Sequence, residues 1–352
     1  MSDFESLQEP VSGSPEAADL TRLAFAKAGV APPALPAKAK RKRRRSRLRG
    51  KAKAEVAPAI GGLPSVLAGR YRLERLLGAG GMGLVYRARD LLHEQFGEPT
   101  PYIALKLLSE ELYEAPDASA LLYSEFALTR HLRHPNIVRV YSFEVDTQCQ
   151  RAFITLELMH GLTLDKLLCE RPQGLPWTEA REIVLPLLDA LAYSHRQGVL
   201  HGDLKPSNVM LGESGITLFD FGLSQAEAGV LSGLPHLNRN RLDAWTPVYA
   251  APELLDGAPL SVAADLYAVA CVIYELACGQ HPYRRLPSTQ ARNERLDRQL
   301  QAPKHLPRRC WPALRNALSL DVVDRSINAA ALRVALGCEG SGLWGWWRGR
   351  KG

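Results

Sequence analysis

His201-Gly202-Asp203-Leu204-Lys205-Pro206-Ser207-Asn208 is followed, twelve residues after Asn208, by Asp220-Phe221-Gly222. The first stretch holds a carboxylate able to orient an attacking hydroxyl, a lysine able to meet developing phosphoryl charge, and an amide whose oxygen suits a metal. The second sets a carboxylate in a turn, as a hard cation such as Mg²⁺ requires. Any one of these residues alone is a common surface or turn residue. Their order and spacing together specify one chemistry.

Upstream, Gly78-Ala79-Gly80-Gly81-Met82-Gly83-Leu84-Val85 matches G-x-G-x-x-G-x-V. Backbone without Cβ can close over phosphates and offer them amide donors. A dinucleotide-binding turn shares the glycine spacing but opens a helix. Here Leu84, Tyr86 and Ala88 alternate with Val85, Arg87 and Arg89, the period of a strand. A plain glycine-rich hairpin has the same local pattern, so the motif depends on its surroundings. Ile103-Ala104-Leu105-Lys106 ends a short apolar strand on a lysine, and Glu125 follows nineteen residues later on a predicted helix. A Lys–Glu pair would hold the ammonium as a fixed charge against phosphates; each residue alone would be read as solvated.

The order of elements gives the fold class. Strands are predicted at 71–77, 83–90 and 102–108, a helix near 117–133, then strands at 137–145 and 152–158. Beyond Trp177 the chain reads as mainly helical. Val184, Leu188, Leu191 and His195 lie on one helical face, and Pro186 inside that helix predicts a kink. Strands first and helices second predict an α+β fold of two lobes, a small β-rich N-lobe and a larger α-helical C-lobe. The stretch 91–101 reads as a surface loop inserted between two strands.

On these motifs the chain resembles the eukaryotic-like (Hanks-type) serine/threonine protein kinases. Gly69-Arg70-Tyr71 and Gly80-Gly81-Met82-Gly83 are similar to their bacterial branch. The resemblance covers about residues 69–337 and implies a two-lobed protein-kinase-like fold, an ATP:protein phosphotransferase activity with autophosphorylation, and Mg²⁺ (or Mn²⁺ in its place) as cofactor with ATP. It implies that Gly78, Gly80, Gly81 and Gly83 cover the phosphates and that Lys106 and Glu125 form the ion pair. Leu77, Val85, Ala104 and Met210 would sandwich the adenine. Leu156 would be the gatekeeper, and Glu157 and Met159 would offer backbone groups to the base. Asp203 would be the catalytic base and Lys205 the phosphoryl-stabilising cation, with Asn208 and Asp220 as metal ligands. Thr246 with Tyr249-Ala250-Ala251-Pro252-Glu253 resembles the substrate-docking segment. Glu253 would pair with Arg325, and Asp265 would hold the catalytic loop from below. Lys205 and Thr246 together imply Ser/Thr acceptors on protein substrates, because the tyrosine-directed relatives lack that lysine.

Three departures stand out. Gly202 occupies the position where most relatives have an arginine that couples loop phosphorylation to order. The stretch from Leu223 to Trp245 offers only Ser224 and Ser232 as hydroxyl acceptors, which fits weak coupling. Trp245 replaces a common glycine. His-Gly-Asp also occurs in small-molecule phosphotransferases, which remain an alternative beside a pseudokinase scaffold; Ala-Pro-Glu and Arg325 favour protein substrates.

Composition bounds the rest. The 352 residues are 46% hydrophobic and 23% charged, ordinary for a globular chain. Formal net charge is +7, yet residues 38–53 carry eleven bases and no acid, so the remainder is mildly acidic. Residues 1–68 read as a disordered extension holding this basic tract, with a short amphipathic helix predicted at 15–28. The tract would serve as a flexible linker or as a handle for an acidic partner or anionic surface. It lacks interleaved aromatics, which argues against nucleic acid. The 338–352 tail sets Trp344, Trp346 and Trp347 among Arg348, Arg350 and Lys351, a composition suited to an interface or to packing on the helical lobe. Six cysteines without metal-ligand spacing, no signal-peptide layout and no run of 18 apolar residues predict a cytoplasmic protein without a transmembrane segment.

Overall fold

The computed structural model describes residues 63–338, apart from 81–82, 114–117, 228–233 and 235–245. The predicted 15–28 helix, the basic tract 38–53, residues 339–352 of the tail, Gly81, Ser232 and Trp245 therefore lie outside the described residues.

The first half builds a six-stranded antiparallel sheet from β1 (Val66–Leu67), β2 (Tyr71–Gly80), β3 (Gly83–Asp90), β4 (Tyr102–Leu107), β5 (Val140–Asp146) and β6 (Arg151–Leu156), in the order β1-β2-β3-β4-β6-β5. β2 and β3 form a hairpin whose tip pairs Gly80 with Gly83. Gly83 cannot carry a side chain, because a Cβ there would lie 2.3 Å from the Leu107 carbonyl oxygen on β4. β4 runs inside the sheet, and its register sets Val85 opposite Lys106 and Ala104 opposite Leu156. Leu67, Leu73, Leu105, Leu107 and Phe153 form its buried apolar face.

Packing begins before the expected boundary at residue 69. Leu63 and Leu67 are buried in the small lobe, Leu73 donates its amide to the Ser65 carbonyl, and Ala68 donates its amide to Asp146 at 2.6 Å. The stretch after β3 is also not a plain loop. Helix α1 (Leu91–Gln95) forms there because Asp90 caps it, accepting from the Leu92 and His93 amides.

Helix α2 (Ala118–His131) packs on the sheet through Leu122 and Phe126. The larger lobe then follows. Short strand β7 (Leu162–Thr163) leads into α3 (Leu164–Glu170) and α4 (Trp177–Arg196), which runs through Pro186 without a break. Strand β8 (Val199–Leu200) precedes the catalytic-loop stretch, and β9 (Val209–Gly212) and β10 (Gly215–Leu218) form a hairpin that also pairs with β7. β11 (Gln225–Ala226) returns to pair with β8. Helices α5 (Pro252–Leu255), α6 (Val262–Cys278), α7 (Ser288–Asn293), α8 (Trp311–Ala317) and α9 (Ala329–Gly337) complete the lobe.

α6 is apolar nearly all round and is buried almost throughout, which makes it the axis of the helical core. Ser261 caps its start and Gly279, at φ +74°, ends it. Asp265 in its first turn is a charged group inside this core, and its partners belong to the site.

Candidate active site

Lys106 stands on interior strand β4 with 6% of its surface exposed. Its ammonium reaches Glu125 Oε1 of α2 and Asp220 Oδ1, each at 2.7 Å. Burial alone would lower the lysine pKa, but the two carboxylates raise it well above its ordinary value. Burial acts the other way on Glu125, which is raised. Burial pushes the Asp220 carboxyl up, but the charge and hydrogen bond of Lys106, joined by the nearby His201 and Lys205, together hold it below the carboxylate range. The buried cation therefore ties the small lobe's sheet and helix to the turn carrying Asp220. That turn needs Asp220 at φ +64°, a left-handed conformation that strains a non-glycine residue.

The His201–Asn208 stretch is fixed from below by Asp265. Its Oδ2 accepts the His201 amide and its Oδ1 the Gly202 amide, both at 2.8 Å, and His195 Nε2 lies 2.9 Å from Oδ2. Burial opposes a charge there, yet the His195 contact and these amides hold the carboxyl below its ordinary range. Gly202 sits at φ +84°, and a Cβ on it would lie 2.5 Å from the Leu223 carbonyl oxygen. His201 is fully buried, which lowers its pKa and keeps the imidazole neutral; its ring lies 4.7 Å from that of Phe221.

Asp203, Lys205 and Thr246 close a triangle. Lys205 Nζ meets Asp203 Oδ2 at 2.6 Å and the Thr246 hydroxyl at 3.0 Å, and that hydroxyl donates to Asp203 Oδ1 at 2.9 Å. Asn208 turns its amide nitrogen to the Asp203 carbonyl at 2.9 Å, which leaves its oxygen without a hydrogen bond among the described residues. Asp220 has one oxygen on Lys106 and a second not so engaged. Among the described residues no group of three or more His, Cys, Asp or Glu side chains could hold a metal by itself. The oxygens of Asn208 and Asp220 fit a Mg²⁺ ion that completes its shell with phosphate and water, as this ion ordinarily does.

The remaining expected residues divide clearly. A Cβ at Gly78 or Gly80 would meet nothing within 4 Å, so the chain's own packing does not explain the absence of side chains there. Leu77 is 40% exposed and Ala104 is buried, while Val85 and Met210 are half-buried. Met210 pairs with Thr163 across β9 and β7. Glu157 has committed its amide to the Arg139 carbonyl, whereas Met159 makes no backbone hydrogen bond among the described residues. Arg325 is buried and clasps Glu253 with both terminal guanidinium nitrogens, one of which also donates to the Ala263 carbonyl at 2.7 Å. Sequence reasoning missed a second network beneath the docking segment. Tyr249 donates to Glu275 Oε2 at 2.6 Å and Arg285 reaches Glu275 Oε1 at 2.7 Å. His281 packs edge-on to the Tyr249 ring at 5.2 Å. No local motif marks these partners; the one available signal was Tyr249 itself, whose hydroxyl requires a buried acceptor.

The family model for the protein kinase domain matches residues 71–332, which include every group just described. The chain belongs to the protein kinase family. Among its relatives are serine/threonine-protein kinase PkaA of Streptomyces coelicolor, 32% identical over 78% of this chain and 51% of PkaA, and serine/threonine-protein kinase pkn3 of Myxococcus xanthus, 31% identical over 77% of this chain and 50% of the relative. The DNA damage-responsive serine/threonine-protein kinase RqkA of Deinococcus radiodurans is 35% identical over 62% of this chain and 32% of its own length. The chain thus spans about half, or less, of the curated relatives it matches.

Proposed function

We propose that this chain is a serine/threonine protein kinase that moves the γ-phosphate of ATP onto serine or threonine hydroxyls of proteins. The Asp203–Lys205–Thr246 triangle, beside an Asp220 held by Lys106, carries the reading. Asn208 and Asp220 are the residues to hold Mg²⁺, or Mn²⁺ in its place. The metal, when bound, neutralises charge between phosphate oxygens.

The chain's own groups do the rest. Lys106, braced by Glu125, fixes the α- and β-phosphates as a point charge, and the glycine hairpin covers them with backbone amides. Leu77, Val85, Ala104 and Met210 enclose the adenine, and the Met159 backbone meets its edge. Asp203 accepts the proton of the acceptor hydroxyl, whose oxygen bonds to the γ-phosphorus as the bond to the β–γ bridging oxygen breaks. Lys205 meets the charge on the transferring group and, with Thr246, orients Asp203.

The domain reading places the kinase domain at 69–337, between an extension bearing the basic tract and a C-terminal tail. The tract is a handle for an acidic partner or an anionic surface. None of the six cysteines is in a disulfide, which supports a cytoplasmic setting; no helix among the described residues is long and apolar enough to cross a membrane.

The test is transfer of labelled phosphate from ATP to a generic basic protein, followed by phosphoamino-acid analysis. Phosphoserine or phosphothreonine from wild type, and a loss of about 10²–10⁴-fold in Asp203→Asn, are expected. Undiminished transfer by Asp203→Asn, or phosphotyrosine alone, would overturn the assignment.

A further inference from the structure

Charge is unevenly divided over the kinase body. Between His281 and Arg315 nine Lys and Arg residues face two acids, Glu294 and Asp297, whereas elsewhere from Leu63 to Cys338 there are 28 acids and 19 bases. All nine cations are exposed. Arg285 pairs with Glu275 and Arg292 with Asp256. Arg295, Arg298, Lys304, Arg308 and Arg315 have no carboxylate within ion-pair distance among the described residues. Evenly mixed charge is the ordinary solvated surface; a segregated basic face on an otherwise acidic body creates a directed field.

One turn joins this face to the docking segment. Arg284 and Arg285 are consecutive non-glycine residues in the left-handed region, at φ +54° and +58°. Such strain persists only where surrounding contacts impose it. Arg285 holds Glu275, which in turn holds the Tyr249 hydroxyl, and Ser288 of α7 donates to the Ala250 carbonyl at 2.6 Å. On the other side, Arg284 lines a cavity of about 170 Å³ with Tyr274, Leu296, Gln299 and Gln301. Among the described residues only one of its guanidinium nitrogens donates, to Gln299 Oε1 at 2.9 Å. Arg295 and Arg298 flank the cavity-lining Leu296 and Gln299 in sequence, and α7 just before them is bonded through Ser288 to the backbone that would present the acceptor.

We infer that this face docks an acidic segment of the protein substrate, with one carboxylate side chain seated on Arg284 in the cavity and further acids on Arg295 and Arg298, which flank the cavity-lining Leu296 and Gln299. The inference rests on the kinase reading above and adds a substrate class to it. Arginine forks match carboxylates in a bidentate manner. The unpaired arginines gain partners without giving up existing ones. No exposed Phe, Tyr or Trp ring lies among the nine cations, so the face lacks the large stacking surfaces that nucleic-acid strands use.

The test uses the full chain and one acceptor peptide in two forms, flanked by a run of glutamates or of glycines. Wild type should show a KM for the glutamate form lower by about tenfold, an advantage removed by raising salt from about 0.05 to about 0.5 M. Arg295→Glu/Arg298→Glu should abolish that advantage and leave kcat, and the KM of the glycine form, unchanged. Arg284→Ala alone should remove about half of it on a logarithmic scale. All three residues are exposed, and an unaltered melting temperature checks that the fold is intact. Equal KM values for both peptides, unmoved by charge reversal, overturn docking while leaving the kinase reading in place; absence of transfer to any acceptor overturns both. Single-stranded DNA retained by this face, with glutamate-peptide kinetics unmoved, would also overturn it.

Discussion

Replacing Arg325 by methionine tests how the docking segment is held. The Arg325 side chain is fully buried and Glu253 retains 15% exposure. Arg325 Nη1 donates to Glu253 Oε1 at 2.7 Å and to the Ala263 carbonyl at 2.7 Å, and Nη2 donates to Glu253 Oε2. Methionine fills similar volume but leaves a carboxylate and a carbonyl without donors. Removing one partner of a buried pair costs about 3–5 kcal/mol, and the partial access of water to Glu253 places this case near about 3. For a body of this size that is a fall in melting temperature of about 6–12 °C. Adding Glu253→Gln removes the orphaned charge, so the double variant should be more stable than Arg325→Met alone, with a coupling of about 2 kcal/mol. Because α5 follows Thr246–Ala251 directly, kcat/KM for a protein acceptor should drop more than affinity for Mg-ATP. Thermal unfolding of the four proteins in the cycle decides. An Arg325→Met protein melting within about 1 °C of wild type, or a double variant equal to the sum of the singles, would show that this pair does not hold the segment.

Gly202→Ala should cost about 2–4 kcal/mol, from left-handed strain and a Cβ driven against the Leu223 carbonyl, and Gly202→Arg should fare no better; a urea midpoint unchanged by either contradicts this. His281 is buried and lies beside Arg285, which together lower its pKa from 6.5 to about 4. The unfolded chain binds the extra proton between those values, so stability is complete above pH 6.5 and should fall by about 3 kcal/mol as pH drops to about 4. His281→Gln should flatten that slope, as read by denaturant titration across the window. Ser224 is buried with its hydroxyl on the His201 carbonyl, so Ser224→Ala/Ser232→Ala should lower transfer less than about tenfold, whereas a loss near a thousandfold would show phosphate-dependent ordering.

What could be read from the sequence was local chemistry at fixed spacing. His201–Asn208 and Asp220–Gly222 each lie within a few residues, so their side-chain types alone announce a shared task. Lys106 and Glu125 were also readable, because a strand-ending lysine and a single helical carboxylate are few enough to pair. The limits were physical as well. Asp90 ends one strand and caps the next helix, so a local pattern reads it as loop. Leu63 and Leu67 are isolated apolar residues in an Ala/Pro-rich stretch, and only the sheet edge they cover reveals them. The Tyr249–Glu275–Arg285–His281 network joins a loop, a helix and a strained turn that share no motif. Gly202 was visible as a departure, but its left-handed backbone against Leu223 was not.

In the proposed mechanism one site binds Mg-nucleotide and Asp203 acts only in the transfer step. Calorimetric titration with ATP and Mg²⁺, run beside the transfer assay on wild type and Asp203→Asn, separates the two. Both proteins should bind nucleotide with similar affinity and only in the presence of magnesium, while transfer by Asp203→Asn falls by about 10²–10⁴-fold. A folded wild type indifferent to magnesium and nucleotide, or an Asp203→Asn protein that transfers phosphate at the wild-type rate, would contradict it.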